Sequence, residues 1–147
     1  FGASMRDWLG AAEYLLNTKN DRIILCERGI VAPHTHSTTS RFIADIQVIP
    51  NVKRFTGLPV IIDPSHATFK RRIVPAITYA AMAAGADGVL LEAHNKPSQA
   101  AVDPLNAVNV TDVENIFTKS KQINELVYEN SHYSTGRTTR ELCDQVL

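Results

Sequence analysis

Cysteine is scarce in this chain. Only Cys26 and Cys143 occur in 147 residues, which excludes a disulfide framework or a paired-thiolate zinc ribbon. A reduced, cytoplasmic setting is therefore the default expectation. An excess of one charge is missing too. Lys and Arg number 15 against 15 Asp and Glu, so nothing favours nucleic acid, and a bound phosphate needs local cations rather than a basic face. No apolar run approaches the roughly 20 residues that span a bilayer. The first residues, 1–8, show no basic region followed by an apolar stretch, the pattern of a signal peptide. There is no initial methionine, and the opening Phe1-Gly2-Ala3 predicts an earlier part of the polypeptide. Low-complexity segments and heptad arrays are absent as well.

With 44% hydrophobic residues the chain has the material for a core, and its length suits one domain. Ser4 and Asp7 form a capping-box-like start, and Trp8, Ala11, Ala12, Leu15 and Leu16 follow helical spacing, which predicts one buried face. Residues 22–26 are a short apolar strand of the kind covered on both sides in a parallel sheet. A polar loop, 29–40, carries His34 and His36. A helix over 48–55 ends near Gly57, and strand 60–62 follows. Pro75 opens a helix that stops at Gly85, and strand 88–91 comes next. Thr111 and Glu114 form a second capping box before a helix over 112–130 that buries Val113, Ile116, Phe117, Ile123 and Val127. Residues 131–147 form a C-terminal extension after a domain over 1–130.

The order α-β-α-β-α-β-α is that of βαβ units. Three strands are too few for a closed eight-stranded barrel of about 250 residues. The predicted fold is α/β: the C-terminal portion of a (β/α)8 TIM barrel, with about three parallel strands and their helices.

Two of those strands run directly into polar residues. Val60–Ile62 leads into Asp63-Pro64-Ser65-His66, and the strand ending at Leu91 leads into Glu92-Ala93-His94, with Asp103 shortly after. Barrel active sites are built at the C-terminal ends of strands. His66, Glu92 and Asp103 supply a mixed nitrogen and oxygen set suited to a divalent Mn, Fe, Co or Zn ion. Arg28 offers a planar fork for a phosphate, with a carboxylate pairing to Glu27 as the structural alternative. His94 lies two residues beyond Glu92, on the same side of the strand, in contact with substrate or in a supporting role. The H-x-H pair His34/His36 is a solvated loop or a metal site. Lys70, Arg71 and Arg72 are read as a solvated helix entrance, from which one side chain could reach a phosphate. Cys26 and Trp8 are read as packing residues.

The segments ILCERGI at 24–30, LPVIIDPSHAT at 58–68, AAGADGVLLEAH at 83–94 and AAVDP at 100–104 resemble 3-deoxy-7-phosphoheptulonate (DAHP) synthase, in its short microbial type I subfamily. The likeness covers roughly residues 5–130 and corresponds to strands six to eight of the family. It implies a metal-dependent transferase of the shikimate pathway that condenses phosphoenolpyruvate with erythrose 4-phosphate. By the same resemblance Arg28 matches a phosphoenolpyruvate-phosphate arginine, and His66, Glu92 and Asp103 match metal ligands. His66 is also the candidate catalytic residue, and Glu27 and His94 join Arg28 as candidate substrate-binding residues. The family's fourth ligand, a first-strand cysteine, has no counterpart here, and Cys26 sits in strand six. After Arg28, Val31-Ala-Pro-His-Thr-His36 replaces the family's Arg-Thr-aromatic-Glu stretch.

Two other readings stand beside this one. A 3-deoxy-octulosonate 8-phosphate synthase has similar motifs and would prefer arabinose 5-phosphate. A non-catalytic half-barrel would only bind or regulate a partner. The expected associates are the two small substrates and either further copies of the chain or the missing barrel half, with no nucleic acid and no membrane. The chain alone is expected to be inactive.

Overall fold

A computed structural model describes residues 2–31 and 42–130. The His34/His36 pair and the extension 131–147 lie outside the described residues. Helix α1 (Met5–Leu16) starts as predicted. Ser4 Oγ accepts from the Asp7 N–H at 3.2 Å, satisfying one orphan amide of the first turn. Burial of α1 is narrower than its periodicity predicts. Ala12 is buried and Trp8 and Leu9 pack beside the core, whereas Ala11, Leu15 and Leu16 are exposed. Among the described residues, no element covers that end of the apolar stripe.

Strand β1 (Leu25–Glu27) lies further along the chain than the predicted 22–26. Its partner decides the boundary, because pairing begins only where the Leu25 N–H meets the Pro59 carbonyl. Helix α2 (Val48–Thr56) closes on Gly57 at φ 66°, a left-handed cap that costs glycine little. Strand β2 (Val60–Ile62) follows, then a short helix α3 (Pro64–Thr68) that the strand pattern did not reveal. Helix α4 (Val74–Ala83) and strand β3 (Gly88–Val89) complete the first sheet. Strands β1, β2 and β3 are parallel in that order, with Leu25 opposite Val60 and Ile61 opposite Gly88.

Side chains alternate across this sheet. Leu25, Val60 and Ile62 are buried against Ile49 and Val52 of α2 and Ala81 and Met82 of α4. Full burial of each such Val or Ile stabilises by about 2 kcal/mol. The other face carries Ile24, Cys26, Ile61 and Leu90. It is open, with Ile24 62% and Leu90 47% exposed. Arg28 and Glu92 continue that open face, and Glu27 continues the buried one.

Strand β3 is shorter than the predicted 88–91 because β2 runs out of partners. Asp63 turns away to cap α3, and Pro64 has no N–H to offer. After the Leu90 N–H bonds Ile62, the Glu92 N–H donates to Ser65 Oγ at 3.1 Å. The chain then re-pairs in a second parallel sheet of β4 (Ala93–His94) and β5 (Val108–Asn109), which sequence patterning missed because each strand has two residues. Helix α5 (Val110–Asn130) starts before the predicted Thr111 cap. Asn109 Oδ1 accepts from the Thr111 N–H at 3.1 Å, so Asn109 serves as the cap. Ile116 is buried, but Phe117, predicted to be buried, is 45% exposed. No described helix is long and apolar enough to cross a membrane.

Candidate metal centre

The site grows from the junction of β2 and α3. Asp63 is the α3 cap, and its Oδ1 accepts from the His66 N–H at 3.0 Å. Pro64 opens the helix with a pre-set φ, so the Asp-Pro-x-His spacing turns His66 back toward the carboxylate that caps it. His66 Nδ1 meets Asp63 Oδ2 at 2.7 Å, and the same oxygen accepts from Arg28 Nε at 2.8 Å. Asp63 is fully buried, and this one carboxylate joins the β1 end to α3.

In the tautomer that donates from Nδ1 to this carboxylate, the Nε2 lone pair points outward. Outward lie Asp103 Oδ2 at 3.5 Å and Glu92 Oε1 at 3.8 Å. One ligand atom from each of the three residues lies within 4.8 Å of the others. Donors bound at 2.0–2.2 Å to one ion stand roughly 3–4.4 Å apart, so small rotamer changes bring all three onto a shared centre. Two carboxylates facing one imidazole lone pair are matched by a divalent cation. His66 is the least exposed of the three at 15%, and the carboxylates open to solvent.

The loop after β1 is held by Glu27 and Gly29. Glu27 Oε1 accepts from the Gly29 N–H at 2.8 Å and the Asp45 N–H at 3.0 Å. Burial raises the pKa of this carboxyl above its ordinary 4.5, against the lowering effect of the two amides. Its side chain thus sits on the face opposite Arg28, where it holds backbone. Gly29 has φ 105°, and a Cβ there would stand 2.7 Å from Phe42 Cβ and 3.2 Å from Ala67 Cα. Only glycine lets the Arg28 loop pass this close to α3. Phe69 covers the His66 ring edge-on, with centroids 6.3 Å apart.

His94 is half-buried and outside the three-residue cluster, and its Nδ1 accepts from the Lys96 N–H at 3.0 Å. Cys26 has its thiol pKa pushed up to about 11, chiefly by burial, and stays protonated at neutral pH. A cleft of about 870 Å3 lined by residues 69–72, Leu105, Val108 and parts of α4 and α5 includes none of the three cluster residues. Sequence patterning missed Asp63 and Ser65 as parts of the site. The Asp-Pro pair after an apolar strand was the available signal for both, since it marks a helix start whose cap faces the strand end.

Among known proteins, the sequence model of the DAHP synthetase I family matches residues 1–129. A phospho-2-dehydro-3-deoxyheptonate aldolase of Thermotoga maritima is 32% identical over 84% of this chain and 36% of its own length. A 2-dehydro-3-deoxyphosphooctonate aldolase of Geobacter sulfurreducens is 31% identical over 77% of this chain and 43% of its own length. The crystal structure of the Thermotoga maritima aldolase, also titled DAHP synthase, superposes with a TM-score of 0.78 at 31% identity, covering 86% of this chain and 36% of the other. The chain therefore spans well under half the length of these relatives, and its parallel strands and helices are those of part of such a barrel. With the family model matched over nearly all the described residues, the chain belongs to the DAHP synthetase I family.

Proposed function

We propose that this chain carries the metal and phosphate side of a synthase that condenses phosphoenolpyruvate and erythrose 4-phosphate to 3-deoxy-7-phosphoheptulonate. Water is consumed and inorganic phosphate released as the enol carbon joins the aldehyde carbon. The observation that carries this reading is the convergence of His66 Nε2, Glu92 and Asp103, with Arg28 tied to His66 through Asp63. Those three residues would hold the divalent ion, which when bound supplies Lewis-acid polarisation of the aldehyde carbonyl.

Arg28 takes the phosphate of phosphoenolpyruvate. Its Nε bond to Asp63 fixes the guanidinium plane, so that charge-assisted hydrogen bonds meet the phosphate without a search over rotamers. Asp63 keeps the His66 proton on Nδ1. Glu27 keeps the Arg28 loop in place from the buried side. His94, two residues beyond Glu92 at the end of β4, is the candidate for a further contact to substrate. The remaining cations and the rest of the barrel come from outside this chain, from the same polypeptide or from an associated one, in the cytoplasm.

The octulosonate reading is kept because several relatives 30–34% identical are named 2-dehydro-3-deoxyphosphooctonate aldolases. One assay separates the two. Native-length protein with Mn2+ and phosphoenolpyruvate is offered erythrose 4-phosphate or arabinose 5-phosphate, and phosphate release is followed. Faster release with erythrose 4-phosphate is expected. Preference for arabinose 5-phosphate moves the assignment to the octulosonate reaction, and release with neither sugar sinks both.

A further inference from the structure

Asp103 is held in an unusual backbone state. Its φ is 54°, a left-handed conformation that few residues other than glycine adopt. Its carbonyl accepts from the Asn106 and Ala107 N–H groups at 3.2 and 3.1 Å, closing a tight turn over 103–107. The turn does not hold itself by side chains. Asn106 is buried, yet neither its amide nitrogen nor its amide oxygen has a hydrogen-bond partner among the described residues.

An outside group grips it instead. Arg71, read from sequence as part of a solvated helix entrance, is half-buried. Its Nε donates to the Ala107 carbonyl and its Nη2 to the Pro104 carbonyl. Its backbone N–H donates to the Leu105 carbonyl at 2.9 Å. Three donors from one residue thus bind three carbonyls of the turn that follows Asp103. Arg71 also begins the 3₁₀ turn (Arg71–Ile73) shortly after α3, the helix that bears His66. A planar guanidinium is the side chain that can span two carbonyls at fixed separation.

We propose that Arg71 is a positioning residue for Asp103, locking the turn over 103–107 to the segment that carries His66 so that the carboxylate and imidazole reach one cation. The proposal rests on the metal reading of His66, Glu92 and Asp103. In this role Arg71 acts on the carbonyls of the turn, and its effect passes through Asp103. Supporting groups of this kind set metal affinity by about 10- to 100-fold.

The test is a double-mutant cycle in the native-length protein, titrated with Mn2+ alone, with free Mn2+ read by electron paramagnetic resonance. Arg71→Met should weaken Mn2+ binding about 10- to 100-fold while near-ultraviolet circular dichroism stays native. The pair Arg71→Met with Asp103→Asn should bind no more weakly than Asp103→Asn alone, because the residue through which Arg71 acts has already been disabled. Native Mn2+ affinity in folded Arg71→Met, or losses that multiply in the double variant, would overturn the proposal. If Arg71→Met does not fold, Arg71→Lys keeps one side-chain donor site, and the same comparison with Asp103→Asn decides. Unchanged affinity in Asp103→Asn itself would remove the metal reading, and this proposal with it, whereas weakened binding there with multiplying losses removes this proposal alone.

Discussion

Asp63→Asn is the substitution that most sharply separates a histidine poised for metal from one merely buried. Asparagine keeps the shape and keeps an oxygen for the His66 N–H, which caps α3 at 3.0 Å. It places an NH2 group, however, where Oδ2 now accepts from both His66 Nδ1 and Arg28 Nε. Two donors then face a third. His66 relieves its conflict by moving the proton to Nε2, which turns an N–H toward Glu92 and Asp103 and removes the lone pair a cation needs. Mn2+ affinity should fall about 10- to 100-fold, the range for lost outer partners of metal-bound histidines. Stability should fall as well, by about 1–3 kcal/mol for the charge-assisted bonds, toward the lower end because the Arg28 side chain is 35% exposed and solvent screens it. Long-range nitrogen–proton NMR of the imidazole reads the tautomer directly, and Mn2+ titration reads the affinity. An unchanged tautomer with unchanged affinity would refute the reasoning, because Asp63 would then be a helix cap and nothing more.

Arg28→Lys should raise the KM for phosphoenolpyruvate about tenfold or more with little effect on the sugar, since lysine loses the planar fork; equal kinetics for phosphoenolpyruvate would take Arg28 out of the site. Cys26, with its pKa raised from 9.0 to about 11, should show about a hundredfold less thiolate, and correspondingly slow iodoacetamide labelling, in a Cys143→Ser background; labelling at the rate of a free thiol would contradict its burial. Glu27 has a folded-state pKa above its unfolded value of 4.5, so its contribution to stability is full below that pH and is lost as pH rises through the raised value. Denaturant melts should therefore show the native protein losing stability relative to Glu27→Gln as pH increases from 4.5, and a pH-independent difference would mean that the carboxyl titrates normally.

Much of this was legible from residue order, and the exceptions share a cause. Val60–Ile62, Gly57 and the helix entered at Pro75 were readable because apolar runs and special φ residues are local signals. The candidate ligands were singled out because His66 and Glu92 follow apolar strands and Asp103 comes shortly after. Boundaries that depend on a partner were not. β1 starts where Pro59 can accept a bond, and β3 stops where Asp63 and Pro64 withdraw theirs. The exposed Phe117 escapes periodicity for a related reason, because a pattern marks which residues favour burial but not whether a covering element is present. The open face of Ile24 and Leu90, by contrast, follows from there being only three strands in that sheet among the described residues. Arg71 was read as solvated since a run of three cations normally is, and only the fold brings the carbonyls of residues 104–107 to it.

The most direct test of the central claim is a crystal of the native-length protein grown with Mn2+ and measured at the manganese absorption edge. One anomalous peak is expected, about 2.0–2.2 Å from His66 Nε2 and from a carboxylate oxygen of both Glu92 and Asp103, and it should disappear in Glu92→Gln. A fully occupied manganese peak that these three residues do not reach, or one that persists unchanged in Glu92→Gln, would contradict the assignment of this cluster as the metal centre.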